Sequence, residues 1–120
     1  MTHENHSTPR VDFAQVAAVS PALAEYTRKH VIDDLWSRSG LSKRDRSLVT
    51  VAALVARGQE VGYGHYIDGA LDNGVTPGEL SELLLQLAFY AGWPNALSAI
   101  QAAHESLVKR GIDASGLPQR

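Results

Sequence analysis

From Leu48 to Ala56 every residue but Thr50 is apolar. A surface helix of a small monomer shows one apolar stripe, not apolar positions all round. This run is therefore expected at the centre of the domain, or covered by another subunit. It lies in a helix that Ser42 caps, with Asp45 three residues on as an imperfect capping box, and that ends at Gly58. Upstream, "DFAQVAAV" reads as a short helix. Ser20-Pro21 then starts another, with Ser as N-cap and Pro at the first helical position. Leu23, Tyr26, Val31 (or His30) and Leu35 carry its period to Trp36, and Gly40 closes it. Downstream, a helix is predicted over about 62–73, stopped by Gly74. Thr76-Pro77-Gly78-Glu79 is a capping box with Pro in the first turn. Leu80, Leu83, Leu84, Leu87 and Tyr90 or Ala91 share one face of the helix it opens. After a break at "GWP", a last helix over about 94–110 shows Leu97, Ile100, Ala103 (or His104) and Leu107 as its apolar stripe. No stretch reads as a strand. The prediction is an all-α fold: a compact domain of five to six helices with short turns, spanning residues 11–110.

Composition narrows the function classes. At 120 residues and 44% hydrophobic, the chain fits one ordered domain. The polar start, "MTHENHSTPR", reads as a disordered lead over residues 1–10 and not as a signal peptide; residues 111–120 read as a tail. A net charge of -2, with no concentrated basic patch, gives no reason to expect nucleic acid. No segment offers the roughly 20 apolar residues of a membrane span. Cysteine is absent, which removes thiolate nucleophiles, disulfides and Cys-ligated zinc. A cytoplasmic location is the expectation.

The candidate chemistry is a handful of polar groups on apolar helices. "GYGHYIDG" lacks the preceding strand and the spacing of a phosphate-binding loop, and no His-Glu-x-x-His occurs. His3 and His6 sit in the lead, where a histidine is usually solvated. His65 lies on the polar side of its helix with Asp68, Gly69 and Asp72, opposite Tyr66, Ile67, Ala70 and Leu71. Asp68, at i+3, could orient the imidazole; otherwise the stripe simply faces solvent. Arg46 precedes the apolar run, so its guanidinium needs either an anion or an ion pair, for example with Asp34. Trp36, Tyr90 and Trp93 either line a pocket or pack. His30 and His104 read as ordinary helix residues.

Three segments together carry a family pattern: "GLSKRDRSLVTVAAL", the histidine before "ALDNGVT", and "YAGWPNA". Over roughly Val31–Leu107 the chain closely resembles the carboxymuconolactone decarboxylase family. The resemblance implies an all-α fold whose subunits join through helical faces, as a trimer or hexamer. One branch of that family, alkylhydroperoxidase D-like, uses a Cys-x-x-Cys pair before a histidine. Gly58 and Val61 stand at those positions here, so that chemistry is unavailable. The cysteine-free branch decarboxylates 4-carboxymuconolactone without a cofactor or metal, and His65 falls on its histidine.

That likeness implies a cofactor-free lyase acting on a small carboxylated lactone or related acid. Charge left by departing carbon dioxide spreads onto a conjugated oxygen, where a donor or cation lowers the barrier. His65 then returns a proton to carbon. Arg46, with Arg38 and Arg44 behind it, holds a carboxylate. Trp36, Tyr90, Trp93 and Asp34 complete the expected substrate-binding set. "GQEVGYGH" departs from the family pattern: Gly62 and Gly64 loosen the approach to His65 and leave the substrate open. Two other readings stand beside this one. The first is a relative doing proton transfer, cyclisation or hydrolysis on a biosynthetic intermediate. The second is a non-catalytic oligomeric scaffold, motivated by the Leu48–Ala56 run.

Overall fold

The computed structural model describes residues 9–117 and 119. His3 and His6, with most of the expected lead, lie outside the described residues. Among the described residues six α-helices follow in order: α1 Phe13–Val19, α2 Pro21–Tyr26, α3 Lys43–Arg57, α4 Tyr63–Asp72, α5 Pro77–Tyr90 and α6 Trp93–Lys109. Among the described residues there is no strand, and no helix is long and apolar enough to cross a membrane.

The helices begin and end where their caps dictate. Ser42 Oγ accepts from Asp45 N at 3.0 Å and opens α3. Gly58 closes it in the left-handed region, at φ 66°, which a side chain would strain. Thr76 and Glu79 exchange hydrogen bonds of 3.0 and 3.1 Å, a complete capping box at the start of α5. α6 starts one residue before Pro94, at Trp93. The single helix expected from Pro21 to Trp36 is broken. α2 widens into π turns over Thr27–Ile32, then gives way to a 3-10 turn at Leu35–Ser37. Thr27 Oγ1 donates to the Leu23 carbonyl at 2.8 Å, a bond that bends helices. Arg28 spans Glu25 and Asp33, at 2.5 and 2.7 Å, and ties off the widened turn.

α3–α6 form the core. Val51 and Val55 of α3 meet Tyr63, Ile67 and Ala70 of α4, Leu80, Leu84 and Leu87 of α5, and Ala99, Ala102 and Ala103 of α6. The Leu48–Ala56 run is thus central on one side only: Val49, Ala53 and Ala56 stay exposed on the other. α6 turns a different face inward from the one its bulky residues suggest. Ala96, Ala99, Ala102, Ala103 and Ser106 are buried with Leu107, whereas Leu97 and Ile100 are exposed. α6 packs on α3, α4 and α5 together, and small side chains let three helices approach it closely.

The segment before α3 stands apart. No residue of α1, α2 or the π turns is buried, and α1 and α2 form no substantial contact with α3–α6.

Candidate functional site

α4 carries the residue with the clearest chemistry, and its two flanks are held differently. Ile67 and Ala70 point into the core, which turns His65 outward on the opposite side; His65 is exposed. Tyr66 occupies one flank. Its ring meets the imidazole edge-on, with centroids 4.9 Å apart and planes at 84°. On its other side Tyr66 stacks with Trp36, at 6.1 Å and 22°. Tyr66 is half-buried, and its hydroxyl has no hydrogen-bond partner among the described residues. Its ring is the middle member of an aromatic row, Trp36–Tyr66–His65.

Arg46 of α3 reaches back to the segment that bears Trp36. Its Nη2 donates to the Arg38 carbonyl at 3.2 Å, at the end of the 3-10 turn that bears Trp36. Its Nε is buried and has no hydrogen-bond partner. The ion pair with Asp34 is not formed; Asp34 is exposed, and no partner is seen for it among the described residues. Arg38 takes part through its carbonyl. Arg44 does not: it turns to Asp45 and to Glu79 of α5.

The other flank of α4 is ionic. Asp68 does not orient His65; it faces α6. Lys109 Nζ donates to Asp68 Oδ2 at 2.7 Å, and Arg110 Nη2 lies 3.4 Å from Oδ1 while donating to the Asp68 carbonyl at 3.0 Å. Arg10 Nη2 stands 3.7 Å from Oδ2. Burial pushes this carboxyl up, but the donors around it prevail and hold it below its ordinary value. Gly64 makes room for Arg10: a Cβ there would sit 2.8 Å from the guanidinium carbon. Gly62 is tight as well, with 3.0 Å from a built Cβ to a Leu54 methyl. Both glycines thus serve close approach, and neither has positive φ.

At the start of α4, Tyr63 is buried with its hydroxyl unpartnered at ordinary geometry, beside Ser98, which donates to Glu60 at 2.6 Å. Burial raises this phenol, and the Glu60 charge adds to the effect.

Two expected site residues are elsewhere. Tyr90, at the end of α5, is 82% exposed and unconnected to the row. Trp93 meets Phe89 edge-on at 5.3 Å and lines an apolar groove of about 360 Å³ between α5 and α6. His104 borders that groove too, and His30 stacks on Tyr26. Neither His65 nor Arg46 lines this groove. The structure thus brings together Trp36, Tyr66 and His65, with Arg46 held on the Arg38 carbonyl two residues after Trp36, and leaves Asp34, Tyr90 and Trp93 outside. In the sequence Tyr66 reads as a core residue, because its i+1 and i+4 neighbours, Ile67 and Ala70, are core residues.

Comparison with known proteins adds a pattern beyond this geometry. Residues 21–105 match the model of the carboxymuconolactone decarboxylase family. A 4-carboxymuconolactone decarboxylase of Acinetobacter baylyi is 42% identical over 79 residues, 66% of this chain and 59% of that protein. A nitrosuccinic acid decarboxylase of Metarhizium robertsii is 32% identical over 73 residues, 61% of this chain and 51% of that protein. The chain therefore spans between half and three-fifths of the length of these curated relatives.

Proposed function

Because this chain belongs to the carboxymuconolactone decarboxylase family, we propose that it is a decarboxylase of small diacids, working without a cofactor. The observation that carries the reading is Arg46: a partly buried guanidinium whose Nε is unpaired and whose Nη2 donates to the Arg38 carbonyl, two residues after Trp36, whose ring stacks on the Tyr66 that meets His65. A buried unpaired donor is costly, and a carboxylate is its natural partner.

The two relatives' substrates, as their names give them, share a chemistry. Each of these acids carries one carboxylate on a carbon joined to an electron sink, a conjugated lactone carbonyl or a nitro group. Each also carries a second carboxylate that survives the reaction. We assign the surviving carboxylate to Arg46. The bond to the other carboxylate breaks, carbon dioxide leaves, and the electron pair moves into the sink. In this reading the Tyr66 hydroxyl donates to the charged oxygen there, an interaction that strengthens as charge develops. His65 passes a proton to the carbon and regains it from water. Trp36 gives the site an apolar wall that keeps water from the leaving group.

His65 faces outward, so the site needs a cover. A homo-oligomer, a trimer or hexamer, supplies it in this reading, and light scattering above 12.9 kDa at micromolar concentration tests that part. The chemistry is tested by following carbon dioxide release from 4-carboxymuconolactone and from nitrosuccinate. Turnover of neither, by protein that is folded and assembled, would remove the decarboxylase reading. A scaffold without catalysis would then be favoured, since the apolar α5–α6 groove is not lined by His65.

A further inference from the structure

Gly62 ends the 3-10 turn Glu60–Gly62 and stands just before α4, with φ −92° and ψ −13°. Residues with side chains adopt that backbone readily, so conformational freedom does not account for a glycine here. Space does. A Cβ built on Gly62 would stand 3.0 and 3.5 Å from the two Leu54 methyls and 3.5 Å from Tyr66 Cδ2. The bare Cα is thus the floor of a slot, with Leu54 of α3 as one wall and Tyr66 of α4 as the other.

The helix itself lays Tyr66 there. Helical side chains lean toward the N-terminus and cover the turn before their own Cα, so Tyr66 lies back over the residue four positions earlier. Both walls are backed, since Leu54 and Tyr66 each pack against the buried core. A methyl at 62 meets Leu54 inside van der Waals separation, and a longer side chain pushes the walls apart. Tyr66 passes any shift on: it meets His65 edge-on at 4.9 Å and stacks on Trp36 at 6.1 Å.

We propose that Gly62 is a positioning residue of the site. Its missing side chain lets the Tyr66 ring settle against Leu54, and so fixes where Tyr66 stands between Trp36 and His65. The inference takes the row's chemical role from the reading above; the slot itself is geometric. Arg46 is held elsewhere, on the Arg38 carbonyl. A side chain at 62 therefore disturbs the chemical step more than the hold on substrate.

Trp36 and Trp93 are the two tryptophans, and Trp93 lies outside the row, so Trp93→Phe protein reports on Trp36 alone. In that background Gly62→Ala, Gly62→Val and Gly62→Leu are compared by acrylamide quenching of Trp36, by near-UV circular dichroism and by carbon dioxide release from 4-carboxymuconolactone and nitrosuccinate. Quenching is expected to rise in that order. For Gly62→Leu, kcat is expected to fall about tenfold or more while KM moves by less than about threefold. Adding Leu54→Ala to Gly62→Leu makes room and is expected to restore most of both signals. If the larger variants do not fold, Gly62→Ala carries the test, through a changed near-UV spectrum at constant helix content. Trp36 signals unchanged in the folded variants overturn the proposal. So does a Trp36 shift with kcat intact in protein that turns over, and so does a loss that Leu54→Ala leaves in place. Trp36 signals that shift as expected, with no turnover by the Gly62 parent, overturn the decarboxylase reading and leave the slot standing.

Discussion

Replacing Asp68 by Asn keeps the shape of the side chain and removes the charge that three cations share. Its side chain is 14% exposed, so the carboxylate is largely shielded. Two partners are wet: Lys109 is 60% exposed and Arg10 47% exposed at 3.7 Å. Each contributes at the level of a surface pair, about 0–1 kcal/mol. Arg110 is only 26% exposed, and it keeps Asp72 at 2.8 Å and the Asp68 carbonyl at 3.0 Å when the charge goes. Its loss is about 1 kcal/mol, the scale of one hydrogen bond. Together the variant is expected to lose about 1–3 kcal/mol. For 120 residues the unfolding entropy is about 0.25 kcal/mol/K, which converts this to a Tm lowered by about 4–12 °C. The pH dependence has a definite sign. The folded carboxyl is held below its ordinary value, so its stabilisation is fully present above the unfolded pKa of about 3.9. It is lost as pH falls through the folded value. Thermal unfolding at one protein concentration, from pH 3 to 8, should show a constant gap above pH 5 that closes below pH 4. No gap at pH 7, or an equal gap at pH 3 and pH 7, would refute the reasoning.

Three further substitutions probe core, close approach and site. Ile67→Ala empties a fully buried position between α4 and its neighbours and should cost about 2–5 kcal/mol, read by denaturant midpoint at unchanged m. Gly64→Ala should stabilise slightly, by about 0.5 kcal/mol: helix propensity gains roughly 1 kcal/mol, and the nearest atoms to the new methyl belong to the movable end of Arg10. A clear fall in Tm would show that Arg10 cannot yield. Arg46→Met removes the cation but keeps the stem; KM for a diacid should rise about tenfold or more, with kcat changed less, and unchanged KM would dissociate Arg46 from substrate.

The four core helices were legible because their ends are written in local chemistry: Ser42 and Gly58 around α3, Thr76 and Glu79 at α5. The helix after Ser20 was half legible. Its caps are local, but the π turns depend on Thr27 and Arg28 finding particular partners. α6 misled through residue size. Leu97 and Ile100 look like core, yet alanines take the inside because three helices converge there. At the site, spacing alone offered Asp68 to His65 and Asp34 to Arg46. Tertiary packing gave Asp68 to α6 and Arg46 to a carbonyl. Tyr66 could not be singled out, since its value comes from Trp36, thirty positions away.

The decarboxylase reading meets its sharpest test in one comparison: initial rates of carbon dioxide release from 4-carboxymuconolactone by wild type and by His65→Gln, with chelator present. Wild type should turn over in chelator, and His65→Gln should fall by about 10²-fold or more while remaining folded. Equal rates for the two proteins would remove His65 from the chemistry, and no release by wild type would remove this lactone as its substrate.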